Sequence, residues 1–244
     1  MRSKKINTSQ DTQDRVIKKS TGAYTYFGSD IGYVEEKFGR GFDHLVYVWG
    51  ADHHGTVARV RNAGEALGYQ KEHMEMLLVA WVRFVRDGVE MSMSKRAGTV
   101  VTLEDLVEMV GVDAARYALA RSSINSSLDI DVEQLSKKTN DNPVFYVQYA
   151  HARTKQVAKN AASLGVERTD FDPSLLSHPS ESELLAALSQ FPRVVAQAAT
   201  FREPHRVARY LEEVAGSYHR WYDNCRVTPL SEAPVEPVHR TRLW

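Results

Sequence analysis

Apolar and polar positions along this chain follow two different periods, and the change from one to the other divides it. DRVIKKSTGAYTYF (14–27) sets the strand formers Val16, Ile17, Tyr24 and Tyr26 on either side of a Ser-Thr-Gly turn, which predicts a hairpin of two short strands. SDIGYVEEKFGRG (29–41) places Ile31, Val34 and Phe38 at helical spacing, with Ser29 or Asp30 as N-cap and Gly39 or Gly41 as the stop. HLVYVWG (44–50) is almost unbroken in apolar residues, as in a parallel strand covered on both faces, and TVARVRNAGEALGY (56–69) follows as an amphipathic helix. MEMLLVAWVRFV (74–85) fits a strand better than a helix, given its β-branched and aromatic content.

Helical signals then take over. Thr102 with Asp105 forms a capping-box pattern ahead of LEDLVEMV, Gly111 stops that helix, and DAARYALARSS begins another at Asp113. From about residue 124 strand signals fade, so the boundary is set there: a partial α/β domain over 1–123 and an all-α domain over 124–244. One long helix is expected over 132–164, bent or broken at Pro143. A loop with Pro173 and Pro179 leads to ELLAALSQFPRVVAQAATF. A helix over 204–222 then aligns Val207, Leu211, Val214, Tyr218 and Trp221 on one stripe, with Arg206, Arg209, Glu212 and Glu213 away from it. No internal repeat is evident.

Composition narrows the class. With 43% hydrophobic and 25% charged residues, the 244-residue chain is globular. Lys plus Arg and Asp plus Glu number 31 each, so an anionic partner must be argued from local patches. The single cysteine, Cys225, rules out an internal disulfide framework and suits a reducing, cytoplasmic setting. No apolar run is long enough for a membrane span, and MRSKKINTSQ has no signal-peptide core.

Candidate chemistry gathers where strands end. ADHHG (51–55) falls between a strand and a helix, where open α/β sheets bind ligands. Asp52-His53-His54 leaves three readings open there: a polar substrate pocket, capping and supporting hydrogen bonds, or a metal site serving a phosphoesterase. Tyr26 and Asp30, four residues apart, share a face only if helix has begun by Tyr26; with Asp52 they would form an acidic pocket suited to a guanidinium. MSMSKRAGTVVT (91–102) puts Lys95 before Gly98, a mobile cation able to approach a triphosphate. It lacks the spacing of a Walker loop.

Ser92-Met93-Ser94-Lys95-Arg96 followed by Ala-Gly resembles the KMSKS signature of class I aminoacyl-tRNA synthetases. Together with TYFGSDIGY, YVWGADHHG, VEMVGVDAARY and NDNPVFYVQYAHAR it resembles bacterial arginyl-tRNA synthetases from about Asp14 onward. The resemblance implies the second half of a Rossmann-type catalytic domain followed by a helical-bundle anticodon-binding domain of the DALR type. It also implies an arginine–tRNA ligase reaction through arginyl-adenylate, with ATP and Mg2+ and no bound prosthetic group or resident metal. The implied partners are arginine, ATP and tRNA(Arg), without a membrane, and the chain is expected to be a monomer.

By the same resemblance, Tyr26, Asp30 and Asp52 face arginine. Ser92, Met93, Ser94, Lys95 and Arg96 face ATP, with Lys95 holding its phosphates in the transition state. Asn142, Tyr146, Gln148, Tyr149 and Lys155 lie near the tRNA anticodon arm, where aromatic faces stack on splayed bases and cations meet phosphates. Half of the tyrosines in this stretch are equally suited to bundle core.

Departures from the family pattern limit the expected activity. The chain has no His-x-Gly-His signature, Ser92 replaces the first lysine of KMSKS, Ser29 stands where many relatives have arginine, and Thr99 where asparagine is usual. RTRLW (240–244) resembles the start of the family's last helix, whose loss would open an apolar groove. Little independent adenylate formation is therefore expected. A catalytically inactive tRNA-binding module is the alternative reading.

Overall fold

A computed structural model describes residues 14–86, 88–91, 102–230 and 233–244. They form two compact units: the chain up to Trp81 with Ile124–Ser127, and Val82–Ser123 with Leu128–Trp244.

The first unit is a parallel β–α–β arrangement preceded by a helix. The expected hairpin is reduced to one antiparallel bridge, Lys18 with Tyr24, closed by Gly22 at φ +87°. The helix that follows starts earlier than the sequence suggested: α1 spans Tyr26–Gly39 with Thr25 as its N-cap, not Ser29 or Asp30. Thr25 wins because its Oγ1 accepts from the Gly28 amide at 3.2 Å while donating to the Val16 carbonyl at 2.8 Å, tying the cap to the preceding turn.

Next come β1 (Leu45–Gly50), a 3-10 turn (Ala51–His53), α2 (His54–Leu67) and β2 (Met74–Val79). β1 and β2 pair in parallel from Leu45 opposite Met74 to Gly50 opposite Val79. The ADHHG stretch thus sits at the carboxyl end of β1, as its pattern predicted. One face of this sheet, with Leu45, Tyr47 and Met74, packs against Val34 of α1 and Val60 of α2. Gly64 of α2 rides directly on the Met74 sulfur, where any Cβ would collide with it.

The apolar run 74–85 is two strands, not one. β2 ends at Val79, and β3 (Val82–Arg86) belongs to a second sheet in the other unit, with β4 (Val89–Glu90) antiparallel on one side and β5 (Leu128–Asp131) parallel on the other. β5 corrects the expectation that strands end before residue 124. The segment SLDID has little strand propensity, but pairing with β3 buries Ile130 beside Leu106, Ala115 and Val132.

α3 (Leu103–Val110) carries the predicted capping box, with the Thr102 Oγ1 accepting from the Asp105 amide at 3.1 Å and the Asp105 Oδ2 accepting from the Thr102 amide at 2.7 Å. Gly111, at φ +84°, ends it, and α4 (Val112–Ala120) starts one residue before the predicted Asp113. The long helix expected over 132–164 divides into α5 (Val132–Ser136) and α6 (Pro143–Ser163). The break comes before Pro143, which takes the first turn of α6, where it lacks no needed N–H.

The bundle is completed by α7 (Pro179–Ser189), α8 (Phe191–Phe201), α9 (His205–Asn224) and α10 (Pro237–Leu243). α9 is packed by α6, α7 and α8, so it buries small residues (Ala208, Ala215, Ser217) as well as Tyr218 and Trp221. Leu211 and Val214 of the predicted stripe instead line an apolar groove of about 460 Å³, shared with Leu184, Leu188 and Leu243. Among the described residues, no helix is long and apolar enough to cross a membrane.

Candidate functional site

Because α1 is capped by Thr25 and begins at Tyr26, Tyr26 and Asp30 lie one turn apart on a single helical face, and Tyr33 and Lys37 continue the same stripe. Tyr26 is 94% exposed. Lys37 is held between two rings, its Nζ 3.9 Å from the centroids of both Tyr33 and Tyr47. Burial, then Arg40, draws the Lys37 pKa down against the opposing charges of Glu36 and Asp30. Tyr47 is buried, and its hydroxyl has no hydrogen-bond partner among the described residues. Burial first, then Tyr33 and Asp30, raises its pKa. The stripe therefore offers an exposed ring and a carboxylate, with a cation fixed about two turns further on.

Asp52 stands on the 3-10 turn after β1, with its Oδ2 3.7 Å from His53 Nε2. A Cβ at Gly50 would lie 2.5 Å from Asp52 Oδ1, so the strand must end in glycine for the carboxylate to fold back over it. The His53 ring leans on Trp49, with centroids 6.1 Å apart. Among the described residues, no three His, Cys, Asp or Glu side chains are grouped to hold a metal ion.

Ser92, Met93, Ser94, Lys95 and Arg96 lie outside the described residues. The chain on either side of them is firmly tied. Met91 donates its amide to the Phe84 carbonyl at 2.8 Å, and the Asp105 carboxylate is held low in pKa by the backbone and then the side-chain hydrogen bond from Thr102.

In the second unit, the residues expected near RNA divide by role. Asn142 is 4% exposed and caps α6: its amide donates to the Leu135 and Lys137 carbonyls, both at 2.8 Å, and its Oδ1 accepts from the Val144 amide. Gln148 Nε2 donates to Asp113 Oδ2 at 2.7 Å, tying α6 to α4. Tyr146 is half-buried, its ring 5.1 Å from that of His219. Lys155 is exposed.

Tyr149 belongs to a cluster that periodicity alone did not reveal. The Arg153 guanidinium lies 4.7 Å over the Tyr149 ring and 4.4 Å over Tyr222 of α9, and it donates to the Tyr149 hydroxyl at 2.6 Å. Arg153 Nη1 also lies 3.2 Å from His219 Nδ1. Arginine can only donate, so Nδ1 must accept and His219 is neutral. Burial, then Arg153, holds its pKa down, while Asp223 and a hydrogen bond to the Tyr146 backbone oppose. The available signal was i,i+4 spacing in α6 (Tyr149, Arg153) and i,i+3 in α9 (His219, Tyr222), although only the packing of α6 on α9 joins them.

A β–α–β unit with an acidic, aromatic helix face is followed in the chain by a helical bundle bearing an arginine–tyrosine cluster, the order of an α/β unit and then a largely α-helical one. The chain belongs to the family described as tRNA synthetases class I (R), catalytic domain, which matches residues 5–160; the DALR anticodon binding domain matches residues 147–243. It is 56% identical over 241 residues to an arginine–tRNA ligase of Clavibacter sepedonicus, covering 98% of this chain and 44% of that protein. It is 58% identical over 236 residues to one of Kineococcus radiotolerans, covering 96% of this chain and 43% of that protein. A solved structure of a candidate arginyl-tRNA synthetase from Campylobacter jejuni superposes with a TM-score of 0.79 at 28% identity, over 96% of this chain and 50% of that one. The chain thus spans less than half the length of the curated relatives it matches.

Proposed function

We propose that this chain is the arginine-facing and tRNA-facing portion of an arginine–tRNA ligase. In this reading Tyr26, Asp30 and Asp52 receive arginine, with the planar guanidinium paired to carboxylate and laid against the Tyr26 ring. Ser92, Met93, Ser94, Lys95 and Arg96 approach the ATP phosphates, with Lys95 countering the charge that develops as the arginine carboxylate attacks the α-phosphate and pyrophosphate leaves. Mg2+ accompanies ATP. The catalytic part takes in residues 1–123 and the anticodon-binding part 124–244, in a cytoplasmic monomer. The observation that carries the reading is the Tyr26–Asp30 face of α1, in a chain 56–58% identical to arginine–tRNA ligases.

One observation favours a second reading, a tRNA-binding module without catalysis. The Arg153–Tyr149–Tyr222 cluster is built wholly within the second unit and owes nothing to the arginine face. The two readings separate in one pair of assays on the 244-residue chain. Filter binding should give salt-sensitive association with arginine tRNA, while arginine-dependent ATP–pyrophosphate exchange in the presence of that tRNA stays at background. Exchange clearly above background would mean the chain is an enzyme by itself. Absence of any preference for arginine tRNA over an unrelated RNA would remove both readings.

A further inference from the structure

The ring of His219 is packed by Tyr146 and Tyr149 of α6 and by Tyr218 of α9, with centroids 5.1, 5.6 and 6.1 Å away, so rings on two helices fix its orientation. Its Nδ1 accepts from Arg153, so Nε2 carries the ring hydrogen, and Nε2 is buried out of reach of water. A second proton can therefore enter the ring only at Nδ1. That position is already taken by Arg153 Nη1 at 3.2 Å. Entry of the proton would remove the acceptor that Arg153 uses and set two cations in contact. α6 supplies Arg153, Tyr146 and Tyr149 to this balance, and α9 supplies Tyr218, Tyr222 and Asp223, whose Oδ1 lies 3.9 Å from Arg153 Nη1. On the other helices packed against α9, Glu183 of α7 pairs with Arg220, Arg121 of α4 pairs with Glu212, and α8 brings the Phe191 ring to Tyr210.

We propose that His219 is a positioning residue for tRNA: as a neutral acceptor it holds the Arg153 guanidinium between the Tyr149 and Tyr222 rings, and its protonation releases that guanidinium, which makes recognition of arginine tRNA proton-linked. The inference rests on the tRNA-binding reading above. Tyr149 and Tyr222 are each 40% exposed, so the clamp presents stacking surface to a partner while Arg153 stays in place. Asp223, with a side chain 68% exposed, is the carboxylate that receives the released guanidinium at the surface. Burial and then Arg153 lower the His219 pKa against Asp223 and the Tyr146 backbone. The clamp is thus intact through the ordinary histidine range and is lost as pH falls below it. A charged imidazole also attracts any polyanion, so the loss shows in the preference for arginine tRNA over other RNA and not in RNA affinity at large.

The test is competition filter binding by the full 244-residue chain, arginine tRNA against an unrelated tRNA, at constant ionic strength. The preference should fall about fivefold between about pH 8 and about pH 5.5, and by no more than about tenfold per pH unit, the limit for one proton. His219→Asn sets an oxygen that does not titrate near the place of Nδ1, and should keep the parent's preference at the upper pH and hold it at the lower. His219→Phe keeps a ring without an acceptor and should show the reduced preference throughout. Circular dichroism shows that each variant is folded. In the parent, the nitrogen NMR signal of His219 Nδ1 should be that of an unprotonated nitrogen at the upper pH and should titrate together with the preference, a readout that needs no variant. The inference alone is overturned by a preference that does not change with pH, by a His219→Asn variant that titrates like the parent, by a His219→Phe variant equal to the parent, or by an Nδ1 titration out of step with binding. A parent that shows no preference at any pH overturns the tRNA-binding reading with it.

Discussion

At the scale of single residues, the feature that joins α4 to α9 is a small polar network in a largely apolar seam. Arg121 meets Glu212 through two hydrogen bonds, Nε to Oε1 at 2.8 Å and Nη2 to Oε2 at 3.0 Å, and the Tyr117 hydroxyl donates to the Ala208 carbonyl at 2.9 Å and to Glu212 at 3.2 Å. Burial pushes Glu212 toward the neutral form. The hydrogen bond and charge of Arg121, then Tyr117 and Arg209, outweigh it and hold the carboxyl below the ordinary glutamate range. Removing one partner leaves the other covered and unpaired, so Glu212→Gln should cost about 2 kcal/mol at pH 7 by urea unfolding. The pKa is depressed in the folded state, so this contribution is present above the ordinary glutamate value and lost as pH falls through the folded one. The gap between parent and variant should therefore narrow as pH falls below the ordinary glutamate range. A gap unchanged between pH 7 and pH 3 would mean the carboxylate charge contributes nothing.

Among the elements, the junction of α3 and α4 shows how much one residue can decide. Gly111 sits at φ +84° and ψ 157°, a region open to glycine and strained for any L side chain, although a Cβ there would meet nothing within 4 Å. The demand is purely conformational. Gly111→Ala should destabilise the second unit by roughly 1–3 kcal/mol in chemical denaturation, with no change in native circular dichroism. A neutral result would show that the chain can turn between these helices by another route. Such turns were readable in advance: the Thr102–Asp105 box, the Gly111 stop and the strand-to-helix passage at ADHHG all appear where local chemistry required. α1 was misjudged at its start, because Ser29 and Asp30 are good caps by type while Thr25 also has the Val16 carbonyl to hold. β5 was missed for a similar reason, since Leu128–Asp131 becomes a strand only because β3 lies beside it.

For the whole molecule, net charge is zero, so any affinity for RNA must come from a local surface. The exposed Lys155 and the ring-clamped Arg153 sit two residues apart yet differ in environment, and their variants should differ in kind. Lys155→Ala should weaken arginine-tRNA binding modestly and reduce the salt slope by about one. Arg153→Ala removes the link between Tyr149 and Tyr222 and should weaken binding more, with a loss that persists at high salt. Equal losses and equal slopes in the two variants would reduce the cluster to one more surface charge.

The sequence by itself determined the helices and turns set by local chemistry and the parallel strand at Leu45–Gly50, while the shared face of Tyr26 and Asp30 waited on where α1 begins. Each of these depends on residues at most a few positions apart. Only the tertiary structure decided which helix packs on which, and therefore that Arg153 lies between rings from α6 and α9, that Asn142 serves as a buried cap, and that one apolar face of β1 stays uncovered. Those outcomes depend on partners tens of residues away, and a periodic pattern records that a side is apolar without recording what will cover it.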